Sequence, residues 1–247
     1  MRNDPRGLLL VLVLAACGGQ PVNKAVTPPT PTPSPINGSA VQTNTNVSFN
    51  TYSKEWPVGW EWIDPDPHPP TGHDTHLAVL HLTLPRGKDL SLERNSAPRY
   101  LKAISGDFEI ETKVVAHPVL NHQGAGLIIW VGEKDYIRFE RASTIASGIQ
   151  VIVRHGDEIA PIVRTEAVPT DAGETRLRIR REGQNFTFLW RDSDKGDWRQ
   201  AARYTADYPA SVLAGLLAVN TGDAFEVSFA YIRLEPLSKG LEARPFH

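Results

Sequence analysis

Cysteine occurs once in these 247 residues, as Cys17, and methionine once, as Met1. One thiol closes no disulfide, so a chain exported with it stands on its hydrophobic core alone. Long apolar runs are also missing. The run from Leu8 to Ala16 is about half of the roughly 20 residues that a membrane-spanning helix needs. Positive charge is not in excess, the formal net charge being -2, which argues against a nucleic-acid partner. There is no G-x-S-x-G, no Gly-rich phosphate loop and no second cysteine, so neither a nucleophile elbow, thiol catalysis nor a phosphate cradle is expected. From Val47 onward no helical period runs longer than about two turns, and that leaves strands.

What stands at the beginning is an address. Arg2 and Arg6, then the short apolar run, then small residues have the layout of a signal peptide over residues 1–16. Leu14-Ala15-Ala16-Cys17 resembles the bacterial lipobox, which makes Cys17 the expected lipidation site and the membrane the expected partner of the acylated chain. Gly18 does not match the acidic retention signal of inner-membrane lipoproteins. Residues 17–48 follow as a tether. They are poor in large apolar side chains and contain TPPTPTPSP, the end of a stretch with six prolines from Pro21 to Pro35. Such a segment buries no core and runs extended, at about 3 Å per residue where it adopts polyproline II. The expected location is outside the cytoplasm, on a membrane, facing the periplasm or the cell exterior.

Residues 49–236 read as one domain, with 237–247 as a tail. Alternating segments recur between turn residues: His76 to Leu84, Phe108 to Val115, Gly148 to Arg154, Arg176 to Arg181, Asn185 to Arg191 and Phe225 to Glu235. Gly124 to Val131 (GAGLIIWV) is apolar throughout, as a strand buried on both faces would be. The turn Glu133-Lys134-Asp135 and the segment YIRFER after it predict an antiparallel hairpin. Ser211 to Val219 has helix-like Ala and Leu content, but Gly215 and the following Asn220-Thr221-Gly222 favour a strand. The fold class is therefore all-β, a two-sheet sandwich of jelly-roll type.

Several motifs carry a resemblance: W-x-W (Trp60, Trp62), the segment Asn95 to Pro98, the G-D-F strand, GL-W followed by D-Y-x-R-x-E-R, and Arg181, Gly183, Phe186 and Trp198. Together they resemble a bacterial family of concanavalin A-like domains related to the C-terminal domains of family 43 β-xylosidases. The resemblance implies a concanavalin A-like sandwich. Its motifs are structural, and it implies no activity by itself.

Four groups of residues carry candidate chemistry. In GDFEIET, Asp107, Glu109 and Glu111 stand at alternate positions, and Gly106-Asp107 reads as the turn that opens a strand bearing Glu109 and Glu111. Carboxylates two apart on a strand lie about 6.5–7 Å apart at Cα, near the separations of glycosidase acid pairs, so Glu109 and Glu111 are the catalytic candidates. The same spacing is also what a solvated strand face produces. In YIRFER, Tyr136, Arg138 and Glu140 share a face, with Trp130 across the hairpin. An aromatic ring beside a guanidinium and a carboxylate suits sugar recognition, and these four are the ligand-binding candidates. An ion pair packed into the sheet fits them as well. Trp60 and Trp62 share a face and are read as core. Asp64 and Asp66 are oxygen ligands of the kind Ca²⁺ takes, though two are far short of six, and His73 with His76 lacks further zinc ligands. No cofactor and no metal are expected; Asp64 and Asp66 are the residues a structural Ca²⁺ would use.

The reading that results is a lipid-anchored β-sandwich that binds a polysaccharide or glycan without cleaving it. A glucanase using Glu109 and Glu111 and a protein-interaction module without a sugar ligand are the alternatives.

Overall fold

A computed structural model of the chain describes residues 45–47, 57–76, 79–120, 122–143, 147–167, 173–192 and 195–237. The signal segment, Cys17, most of the tether, Trp56 and nearly all of the C-terminal tail lie outside the described residues. The strands in chain order are β1 (Thr45–Val47), β2 (Trp60–Ile63), β3 (Gly72–His76), β4 (Val79–Leu84), β5 (Arg99–Ser105), β6 (Phe108–Ala116), β7 (Gln123–Gly132) and β8 (Asp135–Ser143). They continue with β9 (Ser147–His155), β10 (Glu158–Ala167), β11 (Glu174–Glu182), β12 (Asn185–Arg191), β13 (Arg199–Thr205), β14 (Ser211–Asn220) and β15 (Phe225–Pro236). No helix occurs among the described residues.

The strands form two antiparallel sheets. The first runs β13-β12-β11-β6-β15-β4-β3, with β1 also paired to β15. The second runs β10-β9-β8-β7-β14-β5-β2. Alternation decides what lies between them. Phe108, Ile110 and Val114 of β6, Leu177 and Ile179 of β11, and Phe186 and Phe188 of β12 meet Leu127 and Ile129 of β7 and Ile137 and Phe139 of β8 in one buried cluster. Phe139 and Phe188 meet edge to face across the two sheets, ring centres 5.5 Å apart. Trp60 and Trp62 belong to this cluster as expected, Trp60 stacking on Tyr100 at 4.8 Å.

The predicted hairpin is β7–β8, with Leu127 opposite Phe139 and Trp130 opposite Tyr136. Ser211 to Asn220 is the strand β14, paired on both sides by β7 and β5, which satisfies its backbone without a helix. β10, which the alternation pattern does not mark, contains Pro161. It is tolerated there since β10 is an edge strand and its register shifts after Pro161. Gly106, with φ of 75°, makes the expected turn before β6.

The outer face of the second sheet is not open to solvent along its whole length. Residues 85–98 cross it as a strap. Leu90 and Ala97 of the strap pack on Leu101, Ile128, Tyr136, Leu217 and Val219 in a second buried cluster. The strap holds itself in shape: Ser96 N–H donates to the Asp89 carbonyl at 2.8 Å, and the Ser96 hydroxyl donates to the Gly87 carbonyl at 2.7 Å. It is tied to β14 by Gly87 N–H to the Asn220 carbonyl (2.9 Å) and Asn220 N–H to the Lys88 carbonyl (2.6 Å).

Candidate functional site

The strap overturns the expectation placed on Tyr136, Arg138, Glu140 and Trp130. The structure does bring these four together on one face, but Tyr136 and Glu140 are wholly buried and Arg138 is 5% exposed. Their partners are internal. Glu140 accepts hydrogen bonds from Arg138 through both oxygens, Oε2 at 3.1 Å, and Oε2 also accepts from Gln150 Nε2 at 3.1 Å. Arg138 Nη1 and the Tyr136 hydroxyl both donate to the Leu90 carbonyl of the strap. Gly124 makes room for this network, since a Cβ there would lie 2.6 Å from Glu140 Oε2. Trp130 stacks on Tyr136, and the Arg99 guanidinium lies 4.2 Å from its ring centre. These residues fasten the strap to the sheet and present no sugar-binding surface.

Asp64 and Asp66 are likewise spoken for. The Lys88 ammonium, 1% exposed, donates to Asp64 Oδ1 at 2.9 Å and to the Asp66 carbonyl. Asp64 Oδ2 accepts from the Thr71 N–H at 3.0 Å. A Ca²⁺ ion needs six or more oxygens, and a divalent ion beside a buried ammonium would be repelled, so these residues do not fit the metal. Lysine itself supplies the cation. Among the described residues no group of three or more His, Cys, Asp or Glu could hold a metal ion.

Glu109 and Glu111 are different, because their face of the first sheet carries no strap among the described residues. The register places Glu111 between Arg178 of β11 and Arg233 of β15, and Glu109 between Arg180 and Glu235. Arg178 donates to Glu111 Oε2 through Nη2 (2.5 Å) and Nε (3.0 Å), and its Nε lies 3.2 Å from Glu109 Oε1. The Tyr231 hydroxyl donates to Glu111 Oε1 at 2.5 Å. The ring of Trp198, partly exposed, covers this group: the guanidinium of Arg178 lies 4.1 Å from its centre and that of Arg191 4.6 Å.

The two carboxylates are pushed apart in pKa. Burial raises that of Glu109, assisted by the charges of Glu111 and Glu235 and opposed by Arg178 and Arg180. Burial acts upward on Glu111 too, but the hydrogen bonds from Tyr231 and Arg178 and the charges of Arg178 and Arg233 outweigh it, and its pKa is lowered. Divergent pKa values are a property of acid–base pairs. Here they arise without a shared opening, since Glu111 is 3% exposed and each of its oxygens already accepts a hydrogen bond. A nucleophile must be free to reach its substrate. Glu109, half-buried, keeps one side toward solvent.

Tyr231→Phe tests the electrostatics. Tyr231 stabilises the ionised form of Glu111, so its loss is expected to cost about 1.5–3 kcal/mol at neutral pH. A depressed folded-state pKa adds stability that is full above the ordinary carboxylate value of 4.5 and disappears as pH falls through the lower folded value. The difference between natural and variant protein should therefore shrink below pH 4.5 in urea unfolding. A difference independent of pH would show that the hydroxyl does not act through Glu111.

Arg178, Trp198 and Tyr231 were not foreseen as members of this site. The alternation in TRLRIRR does place Arg176, Arg178 and Arg180 opposite Leu177 and Ile179, which signals a basic strand face. No local pattern signals that Trp198 folds back over it.

Two facing antiparallel sheets with this strand order define a concanavalin A-like sandwich. The chain belongs to the family of β-xylosidase C-terminal concanavalin A-like domains, whose model matches residues 48–233. The structure is similar to that of a functionally unknown protein from Saccharomyces cerevisiae (TM-score 0.60, 16% identity, 73% of this chain and 98% of that one). It is also similar to the GH43B protein of a Bacteroides ovatus xyloglucan PUL (TM-score 0.63, 14% identity, 83% and 42%). A third similar structure is the CBM2 module of the evolved Dit of Lactobacillus casei BL23 phage J-1 (TM-score 0.52, 13% identity, 78% and 96%). At these identities the likeness is one of fold. The match to the Bacteroides protein spans 42% of its length, and that to a GH43 protein from Bacillus licheniformis 38%. No curated protein matches.

Proposed function

We propose that this protein is a lipid-anchored glycan-binding module that does not cleave its ligand, and that it binds on the outer face of the first sheet. One observation carries the reading: the Trp198 ring, the Arg178 guanidinium and the half-buried Glu109 carboxylate stand together there, while Glu111 is tied by both oxygens. An indole face and charged hydrogen-bond partners are what a sugar ring and its hydroxyls require. The family and the fold neighbours, a GH43 protein of a xyloglucan PUL and a CBM2 module among them, support a polysaccharide ligand. The lipobox at Cys17 and the proline-rich tether support attachment to a membrane with the sandwich held off it, outside the cytoplasm.

A panel of polysaccharides, xyloglucan and xylan included, tests this on the full chain made lipid-free by Cys17→Ala. Binding by at least one polysaccharide is expected, with affinity reduced at least tenfold by Trp198→Ala and no reducing sugar released. Release of sugar that stops in Glu109→Gln would establish the glucanase alternative. Binding to none of them would leave the protein-interaction module.

A further inference from the structure

We infer that the cleft between residues 64–69 and the strap is a second binding site, for a sugar unit bearing an oxyanion, a carboxylate first of all. The cleft has a volume of about 360 Å³ and is lined by Asp66, His68, Arg86, Lys88, Arg94 and Asn95, among others. That volume lies at the lower end of the roughly 300–1,000 Å³ of small-ligand sites, which suits a short saccharide end and not the length of a polymer chain.

The polar groups of the floor are already held in place. Lys88 is neutralised by Asp64, and Asn95 donates to Glu133 Oε1 (2.9 Å) and accepts from Arg99 Nη1 (2.7 Å). Ser96 is fixed by Gly87 and Asp89. The shape is thus preformed, and binding need not order it. The walls are another matter. Arg86 makes one long hydrogen bond, from Nε to the Thr221 carbonyl at 3.4 Å. The Arg94 carbonyl accepts from the Ser91 N–H at 2.9 Å, while its guanidinium has no ion-pair or hydrogen-bond partner among the described residues. Both are exposed. Against these two guanidiniums the lining offers one carboxylate not neutralised by lysine, Asp66, whose Oδ1 accepts from the His68 N–H at 3.2 Å. Two open guanidinium forks over a rigid polar floor match a planar carboxylate and the hydroxyls beside it. The cleft shares no residue with the Trp198 face, so this inference does not depend on the function proposed for that face.

Isothermal titration of the full Cys17→Ala chain with trigalacturonate, with neutral galactotriose and with a sulfated galactose trisaccharide tests the site. Trigalacturonate is expected to bind at least tenfold tighter than galactotriose, with an affinity that falls as salt rises. Arg94→Gln and Arg86→Gln, both at exposed positions and checked by thermal melting, should each weaken binding about tenfold. Tighter binding of the sulfated sugar with the same arginine dependence also supports the site and assigns the oxyanion to a sulfate ester. Equal affinity for charged and neutral sugars, no binding of either charged sugar, or affinity unmoved by both arginine variants would overturn it.

Discussion

Glu140→Ala is expected to lower the unfolding free energy by about 3–5 kcal/mol, among the largest effects of any single change in this chain. Glu140 is wholly buried and is the counter-ion of Arg138, which is itself 5% exposed. Removing it leaves the guanidinium under the strap without its hydrogen-bonded counter-ion, with only the weaker charge influence of Asp89, and leaves the Gln150 amide without its acceptor. The cost is that of an uncompensated buried charge, not the net worth of the pair, because desolvating two ions offsets much of their attraction. Hence the double change Arg138→Met with Glu140→Leu should recover most of the loss. Urea unfolding of the three proteins decides it. A loss below about 1 kcal/mol in Glu140→Ala would mean that water reaches Arg138 and that the strap does not seal the face.

Lys88→Met should cost about 3 kcal/mol, at the low end for a broken buried pair because Asp64 keeps some contact with water. Methionine matches the stem of lysine in length, so packing is largely kept and the ammonium is what disappears. Asp64 would then retain only the Thr71 N–H on its other oxygen, and the Asp66 carbonyl would lose its donor. The strap would lose its tie to the segment after β2, and protection of its amides from hydrogen exchange is expected to fall with the midpoint. Millimolar Ca²⁺ should leave the melting temperature of the natural protein unchanged. A rise would show that the ion displaces Lys88 from the oxygens of Asp64 and Asp66, and the reading of lysine as the resident cation would be wrong.

These two variants act on the part of the molecule where the sequence misleads most. Tyr136, Arg138 and Glu140 do share a strand face, as their spacing says. The face is closed by residues 85–98, which lie some 40 to 50 positions earlier in the chain. Period-2 alternation assigns side chains to one side of a strand or the other and is silent on what covers that side. The alternative reading of the same residues, an ion pair packed into the sheet, is what the fold contains. At Asp64 and Asp66 two oxygen ligands too few for Ca²⁺ are legible in the sequence, and the buried Lys88 ammonium that meets them is not.

The sequence by itself determined the all-β class, the β7–β8 hairpin, the turn at Gly106, the packing of Trp60 and Trp62, and the family, because each of these rests on spacing within a short segment or on motifs in order. Tertiary structure alone decided which faces are open. It buried Tyr136 and Glu140, filled the gap between Asp64 and Asp66 with Lys88, and brought Arg178, Tyr231 and Trp198 around Glu109 and Glu111 from three distant stretches of chain. The physical reason is that exposure, charge compensation and pKa depend on neighbours in space, and in an antiparallel sandwich those neighbours are mostly remote in sequence.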